Sequence, residues 1–278
     1  MGKPVTMMWT VAGVAALAAA GAVAVVFGGL YDVSATGPHT QPVHAMLETA
    51  MQRSVRLRAR GIQAPALADE ALVRRGAACF RAKCVQCHGA PGVAPADFGQ
   101  AMQPLPGPLV DAAARWQPHE LYWLVRHGIK MSGMPAWDGR LPEQDLWAVV
   151  AFLGRLPDLT PQAYAAMDAA GAPRCDAAHA PAATQSGDAR RGQAALRRYA
   201  CHACHTVPGV TSSSPHVGPP LAGIARRTMI GGRLANTPGN MVRWLTAPHE
   251  VDPETAMPAM GVTPQDARDI AAFLATLE

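Results

Sequence analysis

Cys84, Cys87 and His88 form one Cys-x-x-Cys-His string, and Cys201, Cys204 and His205 form a second. Thiols and imidazoles this close together could bind zinc, cycle as a redox dithiol, or attach a haem. A zinc ribbon would have to join Cys84 and Cys87 to Cys201 and Cys204, whose separation far exceeds ribbon spacing. A thioredoxin-like dithiol calls for surrounding strands, and no stretch of the chain alternates like one. A histidine directly after the second cysteine in both copies is the attachment signature of c-type haem. Two thiols about one helical turn apart can add to the two vinyl groups, while the next imidazole reaches the iron. His88 and His205 are therefore the expected iron ligands, and His202 is an intervening residue.

A six-coordinate haem needs a further axial group, and Met or His serves in such sites. Met134 lies 46 residues beyond His88 and Met257 lies 52 beyond His205, each opening a Met-Pro-Ala string. The proline removes an N–H and keeps the residue before it extended, which suits a loop presenting sulfur. Methionine is also ordinary core filler, and Met131 and Met260 compete in the two copies. His127, His216 and His249 are the alternative ligands.

Around these residues the chain repeats one order of parts. The first copy runs from "CVQCH" through a proline-rich stretch and "MPA" to "AFLGRL", and the second from "CHACH" through "GPPL" and "MPA" to "AFLATL". Helical segments precede each haem string ("DEALVRRGAACFRA", "DARRGQAALRRY") and follow each Met-Pro, several opening on a proline with an acid shortly after it, as a helix start favours. Between the copies an Ala-, Pro- and Gly-rich stretch without apolar periodicity reads as a linker. Upstream, Leu47, Met51 and Val55 at four-residue spacing predict a short amphipathic helix. Arg53, Arg56 and Arg60 on another face of it read first as a solvated surface, and otherwise as contacts to lipid phosphates or to a partner. From Val5 to Tyr31 no side chain is charged, which is enough helix to cross a hydrocarbon layer of ~30 Å. It continues past the alanines at 18–20 where a cleavable signal would end, so an uncleaved anchor is expected, with everything after Asp32 extracytoplasmic. The net charge of +4 comes from scattered arginines, so nucleic acid is not an expected partner.

Each half resembles a class I cytochrome c, with an N-terminal helix, Cys-x-x-Cys-His, a Gly-Pro-rich loop, a Met-Pro loop and a C-terminal helix, over residues 68–160 and 186–278. The resemblance implies an all-α protein: an N-terminal transmembrane helix followed by two cytochrome c-like helical domains. The expected boundaries are an anchor at 1–31, a juxtamembrane connector at 32–67, domains at 68–170 and 186–278, and a linker at 171–185. It implies two covalently bound haem c groups, held by Cys84, Cys87, His88 and Met134, and by Cys201, Cys204, His205 and Met257. A proline carbonyl is then expected to accept the proximal imidazole N–H: Pro219 in the second half, Pro106 or Pro108 in the first. Phe152 and Phe273 are expected to pack near the haem rings or the N-terminal helices. Cys79 and Cys175 belong to neither haem string. Outside the cytoplasm they read either as a disulfide tying the linker to the first domain's N-terminal helix or as a buried residue and a free thiol, with Cys79 as a haem ligand a lesser alternative.

The function this implies is a membrane-anchored dihaem cytochrome carrying single electrons in a respiratory chain. It would deliver them to a terminal oxidase or act as a subunit of a membrane oxidoreductase or dehydrogenase complex, without substrate chemistry of its own. The expected location is a bacterial inner membrane, crossed once, with the haem domains on the periplasmic side. The alternative is a dihaem enzyme such as a thiosulfate dehydrogenase or a peroxidase, which would need one haem with an open or weak ligand beside a substrate pocket.

Overall fold

The computed structural model describes residues 2–169, 175, 185–211 and 217–278. Helix α1 spans Lys3–Phe27 and is long and apolar enough to cross a membrane over Pro4–Phe27. Proline in its first turn needs no N–H partner there. Helix α2, Gln41–Ala59, follows.

The chain divides into two compact units, Met1–Ala136 with Gln144–Arg174, and Trp137–Glu143 with Cys175–Glu278. The first holds α3 (Glu70–Lys83), α4 (Val85–His88), α5 (Asp97–Gln100), α6 (Ala112–Arg115), α7 (Pro118–His127), most of α8 (Glu143–Arg155) and α9 (Pro161–Ala169). The second holds α10 (Ala189–Arg198), a hairpin of β1 (Met229–Ile230) and β2 (Leu234–Ala235), α11 (Pro238–Thr246), α12 (Pro248–Val251) and α13 (Pro264–Leu274). The antiparallel hairpin is a small departure from the all-helical expectation. Its turn carries Gly231 and Gly232 at φ of 55° and 70°, a region that costs glycine nothing. Among the described residues the architecture is otherwise helical.

Side chains written into the sequence fix where helices start. Asp69 accepts the N–H of Ala71 at the head of α3 and Asp188 that of Arg191 at the head of α10. At α7, Pro118 takes the first position while Glu120 returns to accept the N–H of Gln117 at 2.9 Å. Each cap satisfies a donor that the helix cannot reach.

In each unit the helix before the Cys-x-x-Cys-His string crosses the helix after the Met-Pro loop at a glycine, α3 on α8 and α10 on α13. A Cβ on Gly76 would sit 2.5 Å from the backbone carbon of Ala148 and 2.8 Å from Cβ of Phe152 on α8, and one on Gly192 would sit 2.5 Å from the backbone carbon of Asp269 on α13. Beside each glycine an arginine pairs with a buried aspartate, Arg75 with Asp145 and Arg191 with Asp269, the latter at 2.8 Å. Phe80 and Phe152 meet with ring centroids 5.0 Å apart, and Tyr122 stacks on Trp147 at 4.1 Å. Phe152 thus packs on the N-terminal helix, and Phe273 lies in the second core with Ala195, Leu196 and Ile270.

Helix α2 docks on the first unit instead of standing free: Val55 and Ala59 are buried, and Arg56 lies 3.8 Å from buried Glu120 and over the Trp116 ring. Of the three arginines expected on a solvated face, Arg56 is therefore engaged with protein. Cys79 is fully buried in α3, and Cys79 and Cys175 are disulfide-bonded. The other four cysteines are free. The burial of Cys79 among the α3 core residues Val73, Ala77 and Phe80 sets it apart from the thiols of the Cys-x-x-Cys-His strings. Of the linker expected at 171–185, only Cys175 and Gln185 fall among the described residues.

Candidate functional site

Both Cys-x-x-Cys-His strings fold as one tight turn. The His88 N–H donates to the carbonyl of Cys84 at 3.0 Å and the His205 N–H to that of Cys201 at 3.0 Å. This bond spans four residues, so it brings the imidazole one turn past the first cysteine, while thiols three apart share a face. The first string forms the short helix α4, and the second a 3-10 turn at Cys201–Ala203 after Ala200, whose φ is 54°. Burial pushes the Cys84 thiol up to about 12, the neighbouring Cys87 adding to it, and burial likewise raises that of Cys201.

Each proximal imidazole is oriented by a backbone carbonyl. His88 Nδ1 lies 2.8 Å from the oxygen of Gly107, and His205 Nδ1 lies 2.8 Å from that of Pro219. A carbonyl only accepts, so Nδ1 is the donor in both and Nε2 keeps its lone pair for a metal. Pro219 is the expected acceptor. In the first unit the acceptor is Gly107, between the two prolines proposed for it. The prolines hold the "LPGPL" stretch extended, and the carbonyl facing the imidazole belongs to the residue they flank.

Glycines clear the space beside the strings. A Cβ on Gly218 would lie 2.7 Å from Nδ1 and 2.9 Å from Nε2 of His205, and one on Gly99 would lie 2.6 Å from the oxygen of Gln86. The Gly218 N–H in turn donates to the carbonyl of Cys204 at 2.8 Å. Gly218 thus leaves room for the His205 ring and Gly99 for the α4 backbone, and two thiols beside an imidazole whose Nε2 is free to bind a metal are a donor set that fits a covalently attached haem.

The two Met-Pro loops share one local device. The Met134 N–H donates to Ser132 Oγ at 3.3 Å, and the Met257 N–H to Thr255 Oγ1 at 3.2 Å. In the first loop the Ile129 N–H also closes on the Met134 carbonyl at 3.2 Å, with Gly128 at a φ of 65° giving that carbonyl room. Met134 and Met257 are half-buried, and Met257 packs against the second core. Of their rivals, Met131 is 94% exposed at a φ of 62° and Met260 is 41% exposed. Among the alternative histidines, His127 is exposed and rests near the Trp123 ring, and His249 is exposed on α12. His216 lies outside the described residues.

Sequence reasoning passed over the hydroxyl two residues before each methionine, the glycine beside His205 and the glycines at the helix crossings. The first and last left a signal in the repeat, "SGMP" with "TAMP" and "RRGAA" with "RRGQA". The middle one opens the "GPPL" string, but nothing in that string shows that it faces the imidazole.

Residues 71–153 match the family model of cytochrome c oxidase, cbb3-type, subunit III, and residues 189–278 match that of cytochrome c. These spans open within α3 and at the head of α10 and close at the ends of α8 and of the chain. No curated protein matches the chain.

Proposed function

Since the chain carries two cytochrome c-type domains in tandem and so belongs to the c-type cytochromes, we propose that it is a membrane-anchored dihaem carrier passing single electrons to a membrane oxidase complex. Electron transfer is the activity such domains indicate. Reversible one-electron exchange at the iron is the chemistry that haem supplies when bound.

The residues of this chain hold and tune the group. Cys84 with Cys87, and Cys201 with Cys204, supply the thioether sulfurs. His88 and His205 would bind the iron through Nε2, their tautomer and rotation fixed by the carbonyls of Gly107 and Pro219. Met134 and Met257 would supply the further ligand to each iron, and a thioether ligand would raise the potential. Ser132 and Thr255 hold the two loops by accepting the methionine N–H.

The observation that carries this reading is the likeness of the two halves. Both provide an oriented imidazole and a hydroxyl-braced Met-Pro loop, which supports a methionine ligand for each haem over the open position that a peroxidase or thiosulfate dehydrogenase needs. The likeness of residues 71–153 to the oxidase subunit supports an oxidase as the partner. Helix α1 supports a single membrane anchor, and we place the haem domains on the periplasmic side of a bacterial inner membrane.

The test is carbon monoxide binding to the reduced protein, followed optically. Negligible fast binding in the wild type, with one haem opened by Met134→Ala and the other by Met257→Ala, is the expected result. Rapid binding by the wild type would favour the enzyme instead. Copurification with oxidase activity from native membranes tests the partner.

A further inference from the structure

Helix α2 has two apolar faces, and the described residues cover one of them. Val55 and Ala59 are buried toward the first unit. Round the helix, Val43, Met46, Leu47, Ala50 and Leu57 recur at the spacing of a single stripe. All five are exposed, Met46 at 63%, Leu47 at 48% and Leu57 at 59%. Exposed Arg53 and Arg60 border this stripe on one side, and Arg58, held to Ser54 Oγ at 2.7 Å, borders it on the other. From the end of α1 to Arg60 the acidic residues are Asp32 and Glu48 alone, against four arginines.

We propose that this stripe lies in the interface of the same bilayer that α1 crosses, with its arginines on anionic lipid headgroups. The inference rests on reading α1 as an anchor. Residues 28–40 between the two helices reach at most roughly 50 Å fully extended, so α2 is tethered near the headgroups. The tether favours lipid over a soluble partner. Long arginine stems can lie along the apolar stripe while their guanidinium groups stay among phosphates. Charge selects an anionic surface, and apolar area supplies the rest of the affinity. Because the opposite face of α2 grips α7, a seated α2 holds the first haem domain at the membrane surface, within reach of a membrane-embedded acceptor.

The experiment uses the full haem-loaded chain in phosphatidylcholine vesicles with and without phosphatidylglycerol. Nitroxide labels are placed at Leu47→Cys, Leu57→Cys and, as a solvent reference, Ala163→Cys. The expected result is several-fold shielding of the α2 labels from a water-soluble nickel relaxant, with oxygen access retained. Phosphatidylglycerol should deepen that shielding, and Arg53→Gln/Arg58→Gln/Arg60→Gln should reverse the gain. Labels on α2 as open to nickel as Ala163→Cys in anchored protein overturn the proposal. So does shielding that persists in detergent and rises with protein concentration, which marks a second copy, or shielding confined to native membranes, which marks a protein partner. Release of the whole chain by alkaline wash is a different failure: it removes the anchor reading and this inference with it.

Discussion

Gly218 shows how much of a haem site is set by what a residue lacks. Its missing side chain leaves His205 free to point Nδ1 at the Pro219 carbonyl, and a methyl there would lie 2.7 Å from that same nitrogen. Gly218→Ala must rotate the imidazole or move the loop. We expect it to shift the potential and spectrum of the second haem while leaving the first unchanged, which a redox titration resolves as one displaced wave beside one fixed wave. The hydrogen bond in question tunes ligand basicity as well as orientation. In the first unit the equivalent carbonyl belongs to Gly107. No side chain there can be deleted to remove it.

The crossing of α3 on α8, and of α10 on α13, is the element on which each domain is built. Both crossings bring helix backbone against helix backbone at a glycine, so a methyl group has nowhere to go. Gly76→Ala and Gly192→Ala are each expected to destabilise their own domain by about 1–3 kcal/mol or more through overpacking, measured by denaturant unfolding followed at each haem. The Arg191–Asp269 pair locks the second crossing. Burial pushes the Asp269 carboxyl up, but hydrogen bonds from Arg191, the Asp188 N–H and Gln265 outweigh it and hold its pKa below the ordinary 3.8. A depressed folded value means that the pair stabilises the fold in full above the ordinary carboxylate range. That contribution is lost as pH falls through the depressed value. Asp269→Asn should cost about 1.5–3 kcal/mol at neutral pH, as for hydrogen bonds to a charged group, and flatten the loss of second-domain stability in acid, read as Tm against pH.

At the scale of the whole molecule, two compact units each carry a complete set of parts. Domains of this size bury limited apolar surface, so the proposed attached haem would be a major part of each core. Cys84→Ser with Cys87→Ser should lower haem per polypeptide from two to one, measured as pyridine haemochrome against protein mass. It should also weaken the first domain while the second keeps its spectrum and potential. A loss of both haems would mean that the units do not mature separately.

Most of the chemistry was legible along the chain because covalent haem attachment is local. Cysteines three apart and the next imidazole need only one turn, and Met-Pro marks its loop by backbone restriction, so the repeat, the proposed ligands and the helical class are read from short strings. Helix starts were equally readable, since proline and the capping acids act within one turn. What the tertiary structure decided depends on residues distant in sequence. Gly107 as the acceptor for His88, the glycines at the two crossings, the docking of α2 through Val55 and Ala59, and the disulfide state of Cys79 and Cys175 each depend on which backbone arrives beside which. Periodicity within one segment carries no information about that approach.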